Sequence, residues 1–207
     1  MEKIRETITR LLGHQPGTAD GIDADEIALA EKTAGIAIPS PLRLFYALAG
    51  RHAALMNGFN DFALPHELQA KNGRVLFLSE NQGGCCWGFE PGEADPLVCM
   101  NPAGTDEWHE EMRLSHFLVM VLYYQCAQGG YEYCGTVGLD DDALTRQLEA
   151  AWETVVHENG LFVAYQPDCL IWYLKDREGN VLDYVYFSAR TPAVYAQHET
   201  DYALAEL

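Results

Sequence analysis

Between Val75 and Thr145 the chain has a single basic residue, Arg113. The same window carries twelve acids, so about a third of the sequence holds −11 of a net charge of −18. A surface of this sign repels nucleic acid and anionic membrane. It attracts a basic partner and speeds the encounter. Solubility alone would also account for it. Long apolar runs are absent too. None approaches the roughly 18–20 residues that a membrane-spanning helix needs, so no span is expected. The first twelve residues, MEKIRETITRLL, have charges throughout and no apolar core of a secretion signal, which makes the expected location cytoplasmic.

Motifs that carry chemistry are missing as well. The six cysteines form no C-x-x-C pair, and all but Cys134 lie in apolar segments. Buried, reduced thiols are expected, with zinc ligation or a disulfide as the alternatives. The seven histidines give no H-E-x-x-H. Trp108-His109-Glu110-Glu111 has no second histidine at helical spacing, so no metal is expected. There is no G-x-S-x-G elbow, Walker A loop or G-x-G-x-x-G fingerprint, and Gly83-Gly84 is too short to cradle a phosphate and lies beside an acid. Glu80 lacks a partner carboxylate, and Cys85 and Cys86 sit in an apolar run where a thiol is inert. These absences predict no catalytic residue and no cofactor.

What is present centres on Val75–Gly88, VLFLSENQGGCCWG. Two apolar runs flank the polar turn Glu80-Asn81-Gln82-Gly83-Gly84, the pattern of a hairpin. Asn81 and Gln82 are expected to satisfy turn backbone, leaving Glu80 and any exposed part of Trp87 as functional candidates. Before the hairpin, spacing predicts helices over Glu2–Leu12, from Asp23 (capped by Asp23 and Glu26) to about Ala34, and from Ser40 to Gly50. Leu42, Phe45 and Leu48 form the buried face of the third, with Tyr46 flanking. After the hairpin come strands near 97–100 and 108–114, then a helix capped by Ser115 that is apolar almost all round and therefore central. A helix over 140–151, strands at 161–165, 170–174 and 181–187, and a helix from Thr191-Pro192 complete the chain. No linker, repeat or low-complexity run interrupts it. The expectation is one α+β domain over 1–207: a mostly antiparallel central sheet of five or six strands flanked by helices, with 1–22 an N-terminal extension and 23–207 the core.

The run IALAEKTAGIAIPSPLRLFYALAG from Ile27 resembles the opening helix pair of the SUKH superfamily, with Pro39, Leu42, Phe45, Tyr46 and Gly50 in matching places. The resemblance continues through Asn60, Leu64-Pro65, Val75-Leu76-Phe77, Glu80-Asn81-Gln82-Gly83, Trp87-Gly88, Asp95-Pro96, Trp108, Leu114-Ser115-Phe117-Leu118 and Gly129-Gly130. In bacteria it implies an immunity protein: a non-catalytic module that binds and blocks a cognate toxin, often a basic nuclease. The fungal branch implies the rival role of a regulatory or scaffolding module. A tryptophan in a strand is either core or, if exposed, an interface anchor. On the immunity reading the candidate binding residues are Glu80, Asn81, Gln82, Trp87, Trp108, Glu110, Glu111, Asp140, Asp141 and Asp142. The partner is a basic protein, with no nucleic acid and no membrane.

Overall fold

A computed structural model describes residues 1–138 and 143–206. The chain divides into two compact units, Met1–Leu122 and Tyr123–Leu207. It is an α+β chain whose strands pair antiparallel, and they fall into two sheets, one in each unit.

The first unit contains α1 (Glu2–Leu12), α2 (Ala24–Ala34), α3 (Ser40–Ala49) and the single turn α4 (Ala53–Met56). Its strands are β1 (Asp61–Phe62), β2 (Gln69–Lys71), β3 (Arg74–Ser79), β4 (Cys85–Phe89), β5 (Leu97–Pro102) and β6 (His109–Arg113), and α5 (Leu114–Gln125) follows. The sheet order is β1-β3-β4-β5-β6, with β2 also on β3. The hairpin read from Val75–Gly88, β3 and β4, thus lies inside this sheet with neighbours on both sides.

Helical spacing puts Ile4, Ile8, Leu11 and Leu12 of α1 on one face, and all four are buried. The first helix is therefore built into the unit's core. Gly13 ends it at φ 72°, a left-handed position that suits glycine. Gly21 is required for a different reason: a Cβ there would lie 1.9 Å from the Ala47 carbonyl oxygen. Tyr46, expected at the edge of α3, is fully buried, and its hydroxyl donates to the Ala63 carbonyl at 2.6 Å. Burial pushes that phenol far above its ordinary pKa.

Two expected caps are replaced. Asp23 stands at the N-cap of α2 as expected, but its side chain makes no capping hydrogen bond: Arg51 takes the carboxylates of Asp23 and Glu26, at 3.3 and 2.8 Å. Ser115 does not cap α5 but lies inside it, and its N–H and hydroxyl donate to the Asp95 carboxylate at 2.8 and 2.7 Å. In both cases a charged group from another segment outcompetes the local side chain.

A chain of rings fills the space between helices and sheet. Phe45 meets Phe62 at 4.8 Å, Phe62 meets Phe77 at 6.2 Å, and Phe77 meets Phe89 and Phe117 at 5.7 and 5.8 Å. The tilted and edge-on angles are those aromatic quadrupoles favour.

The second unit holds β7 (Tyr133–Gly138), α6 (Ala143–Ala151), β8 (Glu153–Glu158), β9 (Leu161–Gln166), β10 (Cys169–Lys175), β11 (Val181–Ala189), α7 (Pro192–Tyr202) and β12 (Ala205–Glu206). Its order is β12-β7-β11-β10-β9-β8. One face, including Phe162, Ile171, Tyr173 and Phe187, packs against Leu148 and Trp152 and against Val194, Tyr195 and Tyr202. Thr191 caps α7 as expected, its hydroxyl oxygen accepting from the Val194 N–H at 3.3 Å. Asp176 closes the β10–β11 loop by accepting from the N–H groups of Glu178 and Asn180 at 2.9 and 2.8 Å. Hydrogen bonds from Asn180, from its side chain first, hold the Asp176 carboxyl below its ordinary pKa.

The described residues contain twelve strands, against the five or six expected. β7 and β8 are the longest of those that no run in the sequence marked. YCGTVG has two glycines, and ETVVHE is a charged edge strand. Neither has the apolar run that marks a central strand; tertiary pairing makes them strands.

Candidate functional site

The β3–β4 turn is held by an acid, not by amides. The Glu80 carboxylate accepts from the N–H groups of Gln82 and Gly84 at 3.0 and 2.9 Å. Gly83 takes φ 74°, and its N–H donates to the Glu80 carbonyl at 2.9 Å. Asn81 and Gln82, expected to satisfy this backbone, are exposed instead. A single carboxylate oxygen, Oε2, accepts both bonds through its lone pairs and takes the role from the amides.

The turn adjoins the loop between β5 and β6, because the Ala103 N–H donates to the Gly84 carbonyl at 2.8 Å. Asn101, only 4 % exposed, fastens that loop from beneath: its amide donates to the carbonyls of Thr105 and Glu107 at 3.1 and 2.7 Å. The sequence reading missed Asn101. Its signal is a polar residue at the end of an otherwise apolar strand.

Charge is distributed unequally along this sheet. At one end, in the turn 80–84 and the loop 103–108, there is no lysine or arginine. Asp106, Glu107 and Glu110 are exposed there. At the other end lie Arg74 and Arg113. Arg74 pairs with Glu90 at 2.8 Å, and Arg113 pairs with Glu93 at 2.5 Å and donates to the Asp95 carbonyl at 3.0 Å. Both arginines are thus paired with acids at their own end, and at the turn end the nearest base to these acids is His109, 3.9 Å from the Glu107 carboxylate.

The candidates lie on both sides of the sheet. Trp87 alternates with Gly88 and lies on the helix side, its ring 6.0 Å from Phe117. Trp108 lies on the opposite side and covers Gly88, where a Cβ would stand 3.4 Å from its ring and 3.0 Å from the Val75 carbonyl oxygen, and the Arg74 guanidinium is 4.9 Å from its ring centre. The two tryptophans therefore do not share one face with the acids, contrary to the expected single acidic, aromatic surface. Glu110 and Glu111 also alternate. Glu110 is exposed, while Glu111 is half-buried; burial raises its pKa, with His109 opposing. Asp140, Asp141 and Asp142 lie outside the described residues.

One further pair of reactive groups is enclosed. Cys169 Sγ lies 3.6 Å from His198 Nε2, a pairing that sequence spacing did not reveal. Such a pair makes a nucleophile only if the thiolate forms and can be reached. Here the thiol is fully buried, and burial pushes its pKa up to about 12. The imidazole packs among Tyr202, Trp152 and Phe187 at 5.8, 5.4 and 5.0 Å, and burial lowers its pKa against the opposing charge of Asp201. The pair is core. Thiol labelling of the native protein is expected to modify Cys85, Cys86 and Cys134, which are half-exposed, and to leave Cys99, Cys126 and Cys169 unmodified until denaturant is added. Mass spectrometry of the peptides reads this directly; rapid native modification of Cys169 would contradict the enclosure. No group of three His, Cys, Asp or Glu residues arranged to hold a metal ion occurs among the described residues. No described helix is long and apolar enough to cross a membrane.

No family model, curated protein or solved structure matches the chain.

Proposed function

We propose that the chain is a cytoplasmic immunity protein that binds a basic toxin domain, most simply a nuclease, and blocks it stoichiometrically. The observation that carries this reading is the end of the first sheet without lysine or arginine, where Asp106 and Glu107 are exposed on a loop tied down by Asn101 and Glu110 is exposed on the adjoining β6. The ordered motifs shared with the SUKH superfamily support the toxin as partner.

The mechanism is charge mimicry on a fixed scaffold. A nuclease groove is cationic because it neutralises phosphates. Carboxylates held at the tip of two joined loops enter such a groove and occlude it. The hydrogen bonds from Asn101 and to Glu80 fix the loop backbone before contact, which lowers the ordering cost of binding. The protein performs no chemistry in this account.

The test is co-expression with the toxin domain encoded beside the gene. Protection of the host and a one-to-one complex are expected. Lack of both, with a signalling protein recovered in their place, would favour the scaffolding role.

A further inference from the structure

We infer that the first unit takes a basic side chain of a protein partner in the cavity bordered by α2, α4 and β1, with the cationic head group against Asp61. This rests on the proposed role as a binder of a basic protein and names a second contact, on different elements from the acidic end of the sheet.

The cavity has a volume of about 630 Å³, within the range of roughly 300–1,000 Å³ typical of ligand sites. Its floor is apolar, formed by Ile22, Met56 and Phe62, all buried. Its charged lining is Glu26, Asp61, Glu67 and Arg51. Arg51 is already committed: Nη1 donates to the Gly21 carbonyl at 2.5 Å, and Nη2 to Glu26 at 2.8 Å and Asp23 at 3.3 Å. It is therefore not available to hold an anion. Glu67 also has a task, accepting from the Leu64 N–H at 2.8 Å. Asp61 is exposed, and while its backbone belongs to the ladder with Ser79 of β3, its carboxylate makes no hydrogen bond or ion pair with any described residue. An apolar floor with one uncommitted carboxylate and net negative lining suits a long aliphatic stem ending in a cation, the form of an arginine or lysine side chain.

A second cavity, of about 360 Å³, shares Glu26 with the first. It is lined by Leu29, Ala30 and Pro65 among others, and Leu29 is 64 % exposed. The two together fit a segment that presents a basic side chain and an apolar one close together. A free diamine would use only the first cavity. The occupant is therefore a protein segment.

The test uses the full chain and two blocked hexapeptides, each with one leucine three residues from either an arginine or its uncharged isostere citrulline. Nuclear magnetic resonance titration is expected to shift signals of Leu29, Asp61 and Phe62 with the arginine peptide, and the citrulline peptide to bind at least about tenfold more weakly. Asp61→Asn, at an exposed position, is expected to remove that selectivity without changing the thermal midpoint. Equal binding of the two peptides, shifts confined to other residues, or putrescine binding as tightly as the arginine peptide would each overturn the inference. A chain that gives no protection against the toxin yet binds the arginine peptide at Asp61 loses the immunity role and keeps the cavity. A chain that protects but shows no arginine selectivity does the reverse.

Discussion

Phe77→Ala is expected to destabilise the first unit by about 3–5 kcal/mol, the usual cost of emptying a buried phenylalanine site. Phe77 is fully buried and its ring meets those of Phe62, Phe89 and Phe117. Its removal deletes three ring contacts and leaves a void bounded by strands and α5, which are poorly able to collapse into it. A loss of this size is a large share of a typical domain's stability. Denaturant unfolding followed by fluorescence, in a background where Trp108, Trp152 and Trp172 are replaced by phenylalanine so that Trp87 reports alone, measures it. Leu182→Ser in the second unit, at a position 45 % exposed, is expected to change stability by less than about 0.5 kcal/mol. A loss below about 1 kcal/mol for Phe77→Ala would show that the ring chain is not what holds the first core together.

Reversing charge at Asp106, Glu107 and Glu110 together, each to lysine, is expected to slow association with the basic toxin domain at least about tenfold at low salt. The three side chains are exposed, and the loop is held by Asn101 through backbone carbonyls, so the fold is expected to be retained. Raising the salt should narrow the difference from the wild type, because screening shortens the reach of the field. The same reversal at Glu90 and Glu93 is expected to do less to association. Those acids already face Arg74 and Arg113 at the other end of the sheet. Stopped-flow association rates across a salt series decide between the two ends.

Local patterns announced much of this architecture. Helical spacing located α1 and the buried face of α3, and Thr191-Pro192 marked the start of α7. Non-local choices were hidden. Nothing within α2 shows that Arg51 will take its capping acids, and nothing near Ser115 shows that Asp95 will hold the start of α5. The division of the strands into two sheets was equally silent, since no linker separates Leu122 from Tyr123 and α5 runs through that point. The acidic window was legible as composition. Its polarity along the sheet was not, because Arg74 lies one residue before the window and Arg113 inside it, and only the antiparallel pairing brings both to one end. That Trp87 and Trp108 lie on opposite sides was hidden too, because Trp108 is set by the loop before β6 and not by a strand pleat.

The measurement that tests the account most directly is a hydrogen-exchange footprint of the protein with and without the toxin domain encoded beside it. Protection concentrated on the turn 80–84 and the segment 103–111 is the predicted result. A footprint confined to the second unit, or no complex at all, would contradict it.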